Sequence, residues 1–127
     1  MPTGTPSNEG ISNLTNPEKY RQDHHWEANE VEGVLAATSY DLGVAVAAGK
    51  TRRIREITIR HAGSDNTIVT LLINAGATKV TIDVPANTTR VWSSQDGIEF
   101  TAAQLSAFQT SDVTGGSTFV SATGLEA

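Results

Sequence analysis

The residues best suited to chemistry crowd into "DHHWE", residues 23–27, where two histidines, two carboxylates and a tryptophan share five positions. Adjacent histidines point in different directions on a helix or a strand, so His24 and His25 do not readily chelate one ion together. His24 and Glu27 have the i, i+3 spacing that holds a metal on a helix. A third ligand would have to be His61, far along the chain. The alternative is a solvated polar segment in which Trp26 is an anchor docked into an apolar pocket, on its own domain or on a neighbour.

Three other patterns invite a chemical reading. Asp96 and Glu99 in "SQDGIEF" are the best carboxylate pair for glycoside chemistry, but such a pair must flank a cleft for a sugar ring, and Asp96-Gly97 reads as a hairpin turn. "GVAVAAGKT" ends like a phosphate-binding loop, yet Val44 stands where the first glycine belongs and no helix follows. Lys50, Arg52, Arg53, Arg55 and Arg60 set five cations against Glu56 alone. That stripe is either a solvated outer face blunting an edge strand or an electrostatic contact with an acidic surface. Trp92 is the candidate surface aromatic for stacking a sugar. No nucleophile elbow or dinucleotide fingerprint is present. The reading is a non-enzyme with no catalytic residue, metal or cofactor.

The elements that must position these residues follow from composition. With 38% hydrophobic and 18% charged residues, the balance goes to Thr, Ser, Ala, Gly and Asn, which suits a sheet protein with many turns. A chain of 127 residues makes one domain and needs no disulfide to fold. It has no cysteine, so thiolate chemistry is excluded. A net charge of -5 argues against nucleic acid as a partner. "MPTGTPSNEG" carries no secretory signal, and no run is apolar for long enough to span a membrane.

The composition shifts near residue 33. Residues 1–32 hold three of the four prolines and six acidic residues against Lys19 and Arg21, with few apolar side chains. The expectation is an extended N-terminal arm over 1–32, with Ile11, Leu14, Tyr20 and Trp26 as its partner-binding anchors. "NPEKYRQ" can start a short helix at Asn16. Residues 33–127 then form the domain.

Strands are expected at 33–41, 43–50, 52–61, 67–76, 78–85, 88–94, 97–102, 104–110 and 117–122. In the third, Ile57 and Ile59 share one face while Ile54 is out of phase, which predicts a bulge near Arg55–Glu56. "TIVTLLINAG" reads as a central strand buried on both faces or at a subunit contact. "TKVTIDVP" puts Val80, Ile82 and Val84 inward. "TAAQLSAF" is open to a second reading, a short helix capped by Thr101. About nine short strands give an all-β fold: a single antiparallel β-sandwich or jelly-roll-like domain.

"GKTRRIREITIRHAGSDNTIVTLLINAG" and "VPANTTRVWSSQDGIEFTA" resemble the small virion proteins of tailed bacteriophages, the capsid decoration or cement proteins and related minor head components. The likeness covers roughly 43–122 and transfers no catalytic residue. It implies a protein that binds the outer lattice of the major capsid protein, often as a trimer, and stabilises the shell, with the arm reaching neighbouring subunits. The location implied is the capsid surface of a virion. Alternatives are a head-fibre base, neck or tail component. From other classes come a carbohydrate-binding module using Trp92, and a small metal enzyme using His24, His25 and His61.

Overall fold

The computed structural model describes residues 24–33, 36–111 and 118–127. Eight strands follow one another: β1 (His25–Gly33), β2 (Tyr40–Asp41), β3 (Thr51–His61), β4 (Thr67–Ile73), β5 (Ala77–Val84), β6 (Thr88–Thr101), β7 (Ser106–Thr110) and β8 (Thr118–Glu126). They form two four-stranded sheets, ordered β1-β8-β3-β6 and β2-β7-β4-β5.

The pairing has a simple logic. β4 pairs with β5, β3 with β6, β2 with β7 and β1 with β8, all antiparallel. That is the register of one long hairpin rolled over on itself, and the β3–β8 and β4–β7 ladders complete the two sheets. The result is the jelly-roll form of a β-sandwich. The tip of the hairpin is Ile73–Gly76, where the Gly76 amide donates to the Ile73 carbonyl at 2.8 Å. Asn74 and Ala75 both have positive φ, 52° and 61°. That is the turn whose twist matches the flanking strands.

The core lies between the sheets. Ile54, Ile57 and Ile59 of β3, Val120 and Ala122 of β8 and Phe100 of β6 face Val69 and Leu71, Ile82 and Val84, and Phe108 of the other sheet. Leu42 and Val46, from the segment between β2 and β3, close one side. β5 alternates as its sequence predicts. The bulge in β3 is also where the phase of its isoleucines puts it: register against both β6 and β8 slips between Ile54 and Glu56.

Several boundaries differ from expectation. The last residues assigned to the arm, from His25 on, form β1, an edge strand of the first sheet. Its inward residues are Trp26 and Ala28, then Val31 and Gly33, with a register shift between Ala28 and Val31. That slip hides the period of two. Residues 43–50 form no strand; they run as a loop with Val44 exposed. The strands expected at 88–94 and 97–102 are one, β6, because "SQDG" is a bulge within it and not a hairpin turn. Thr101–Gln104 is a turn leading to β7 and starts no helix: the Gln104 amide donates to the Thr101 carbonyl, and Gln104 Oε1 accepts from the Thr101 amide. β4 is an interior strand, yet Ile68 on its outer face is exposed.

Candidate interaction face

β3 carries the basic stripe, and strand alternation divides it. Arg52 points inward and is fully buried. Its Nε and Nη2 donate to Glu126 Oε1 at 2.9 and 2.8 Å, Nη1 donates to Ser106 Oγ at 3.0 Å, and Nη2 donates to the Val44 carbonyl at 2.7 Å. Its guanidinium also lies 4.3 Å from the centroid of the Trp26 ring. Arg52 therefore leaves the electrostatic contact face. It ties the 42–46 loop, β7, β8 and β1 together. A buried guanidinium is tolerated because its donors and charge are met from several sides.

Trp26 is likewise bound to its own domain. It is half-buried, packs on the core, faces Arg52 and lies against Gly43. Its expected place among the arm anchors is corrected accordingly. Ile11, Leu14 and Tyr20 lie outside the described residues. Trp92 stands opposite Ile57 on the inner side of β6, where it is partly buried and packs against the core.

Arg53, Arg55 and Arg60 remain on the outer face of the first sheet. Cross-strand register builds that face in rows. His25, Leu125, Arg53 and Glu99 form one row, Glu27, Thr123, Glu56 and Ser93 the next, and Glu32, Phe119, Arg60 and Thr89 the row at the far end. The expected positive stripe is thus interleaved with carboxylates that the leader and β6 supply. Arg60 Nη2 reaches Glu30 Oε1 at 2.8 Å, and its guanidinium lies 4.2 Å from the Phe119 ring centroid. Hydrogen bonding from Arg60 holds the Glu30 carboxyl below the usual range, partly offset by burial, and Glu30 in turn raises the Arg60 pKa. Arg53 and Glu99 are a looser pair at 3.6 Å, as are His25 and Glu27 at 3.7 Å. Lys50 is exposed in the loop before β3.

Arg55 is different. It is the extra residue of β3 against β8 and stands across from the longer bulge of β6, and its Nε is sealed from solvent with no hydrogen-bond acceptor. Two shallow depressions meet at it. One, of about 220 Å³, is lined by His25, Arg55, Glu56, Thr123, Gly124 and Leu125. The other, of about 280 Å³, is lined by Thr51, Arg53, Arg55, Leu125 and Ala127. Two glycines shape the bulge. A Cβ on Gly124 would stand 1.9 Å from the Arg53 carbonyl oxygen, and Gly97, at φ +78°, lies against the stems of Arg53 and Arg55.

The expected chemistry is not assembled. His25 stands opposite Leu125 and His61 opposite Thr118, so seven residues of β8 separate them, about 23 Å at the rise of a strand. No single ion spans that distance. His61 is buried, with Nε2 2.6 Å from the Asp65 carbonyl oxygen and Nδ1 3.0 Å from Thr118 Oγ1. Among the described residues no three His, Cys, Asp or Glu side chains are grouped to hold a metal. Asp96 is in the β6 bulge and Glu99 pairs with Arg53; neither lines the depressions around Arg55. A larger groove of about 450 Å³ lies at the edge of the other sheet, with Asn66, Ile68, Asp83, Pro85, Arg90 and Ser111 in its walls.

No protein-family model and no curated protein matches this sequence. Among solved structures, the chain superposes on one from the acid-stable capsid of Helicobacter pylori bacteriophage KHP30. The TM-score is 0.53 at 16% identity, over 81% of this chain and 86% of that one. The likeness is one of fold. Weaker superpositions, below a TM-score of 0.5, include the Drosophila NLP core, at 0.45 and 15% identity over 82% and 98% of the two chains. Another is the carbohydrate-binding module CBM36 in complex with calcium and xylotriose, at 0.37 and 12% identity over 78% and 98%.

Proposed function

We propose that this chain is a non-enzymatic structural protein of a viral particle, a decoration or cement protein seated on the outer lattice of the major capsid protein. The observation that carries the reading is the superposition on the phage capsid chain, which spans most of both molecules. The superposition takes in 81% of this chain and 86% of that one. The outer face of the first sheet supports it too: mixed charges, shallow depressions and no deep cleft at Arg55 make a surface for another protein.

In this reading the sandwich sits on the capsid and the arm is the segment ahead of β1. Ile11, Leu14 and Tyr20 are its anchors, each adding about 1.5–3 kcal/mol when fully buried against a neighbour. Many copies, in trimers, would then stabilise the shell by avidity. No nucleic acid and no membrane take part.

The test is co-sedimentation of the purified chain with capsid shells of the phage that encodes it, together with the temperature at which the shells rupture. Saturable binding and a raised rupture temperature are expected. Binding to isolated necks or tails instead would move the protein elsewhere in the particle. Binding to no particle component would overturn the reading.

A further inference from the structure

We infer that the β3 bulge is a carboxylate-binding site, in which Arg55 receives one Asp or Glu side chain projecting from a protein partner. The inference deepens the reading above and rests on it for the partner being a protein.

Arg55 lacks the partners its neighbours have. Among the described residues, Arg53 and Arg60, its companions on this face, each have a carboxylate within 4 Å. Arg55 has none, and no hydrogen bond satisfies its buried Nε. A charged donor taken from water without an acceptor is destabilising. The fold nevertheless builds this position with care. The bulge turns residue 55 onto the outer face beside Glu56, two glycines make room for the backbone and the stem, and depressions open on both sides. Strain or an unmet group retained in a well-packed frame points to use.

The surroundings set the ligand's chemistry. His25 and Arg53 flank the site and hold their own carboxylates only at 3.7 and 3.6 Å. Glu27, Glu56 and Glu99 stand around them and repel a broadly acidic surface. What fits is a single carboxylate, reaching the guanidinium from the depressions beside it, on an otherwise uncharged surface. A phosphate, with more charge, meets more repulsion from those three glutamates.

The test follows the Arg55 Nε–H signal by NMR in the full chain, titrated with a capped Ala-Glu-Ala peptide, its Ala-Gln-Ala counterpart and inorganic phosphate. The expected result is a saturable shift of Arg55, with His25 and Thr123 following, for the Glu peptide alone. Arg55→Met keeps the stem against Gly97, so its melting temperature should equal or exceed that of the parent. Its response to the Glu peptide, read at His25 and Thr123, should be about tenfold weaker or lost. An equal response to the Gln peptide or to phosphate overturns the assignment. So does an Arg55→Met chain that responds unchanged, or one that melts well below the parent, which would make Arg55 structural. Self-association abolished by Arg55→Met would place a second copy of the chain in the site and overturn the separate partner.

Shell binding separates this inference from the reading beneath it. If Arg55→Met binds shells as the parent does, the site is wrong and the capsid reading stands. If the parent binds the Glu peptide but no particle component, the capsid reading falls while the carboxylate site remains.

Discussion

The Arg52 guanidinium lies 4.3 Å from the centroid of the Trp26 ring, although β8 separates the strands that carry them. One contact thus joins an edge strand to the centre of its sheet, and the same arginine holds Glu126, Ser106 and the 42–46 loop. Removing Arg52 strands a carboxylate, a hydroxyl and a carbonyl at once. Arg52→Ala should destabilise by about 3–5 kcal/mol in urea unfolding, the range for breaking a buried charge pair. In a double-mutant cycle with Trp26→Ala, the two should couple by about 0.5–2 kcal/mol. Additive losses would show that the ring and the cation act independently.

Gly124 tests the bulge. Its added Cβ would meet backbone, not a side chain that can turn away. Gly124→Ala should therefore cost about 3 kcal/mol or fail to fold, as read by thermal melting. Gly97→Ala carries mainly the penalty of positive φ, about 1–2 kcal/mol. The reverse ranking would mean that β3 and β8 relax apart more easily than their register implies.

The Glu30–Arg60 pair predicts a pH effect. The Glu30 carboxyl is held below its ordinary value of 4.5, chiefly by the hydrogen bond from Arg60. The folded chain therefore gives up this proton more readily than the unfolded chain. The pair's contribution is fully present above pH 4.5 and fades as pH falls through the lower, folded value. Both groups are half-exposed, so the effect is small and weakens in salt. Carboxyl NMR should show Glu30 titrating below the ordinary value, and Arg60→Ala should return it there.

β1 makes a prediction for hydrogen exchange. Its amides that face β8 should exchange slowly in the isolated chain, while those on its open edge exchange fast. Uniformly fast exchange over His25–Gly33 would return those residues to an arm.

What the sequence conveys depends on how local its cause is. The bulge at Arg55 is legible because Ile54, Ile57 and Ile59 lie on one strand and their phase slips between neighbours. β5 is legible because it alternates without a fault. β1 is obscured by its own bulge, which breaks Trp26-Ala28 from Val31-Gly33. Arg52 is illegible for another reason. "RR" looks like surface, and the partners that bury its first arginine lie 8, 54 and 74 residues away. The carboxylates that interleave the outer face come from β1 and β6, so the stripe looks free until the register is known.

The place of β8 bears on how the chain is made. It lies between β1 and β3, and the first sheet has no continuous ladder until it arrives. During synthesis β1 has no neighbour, and β3 and β6 wait as a separate ribbon with one side uncovered. The sandwich closes only after translation has passed Thr118, by pairing strands far apart in sequence, which is slow. A ribosome stalled short of that point would hold open strand edges ready to pair with another chain.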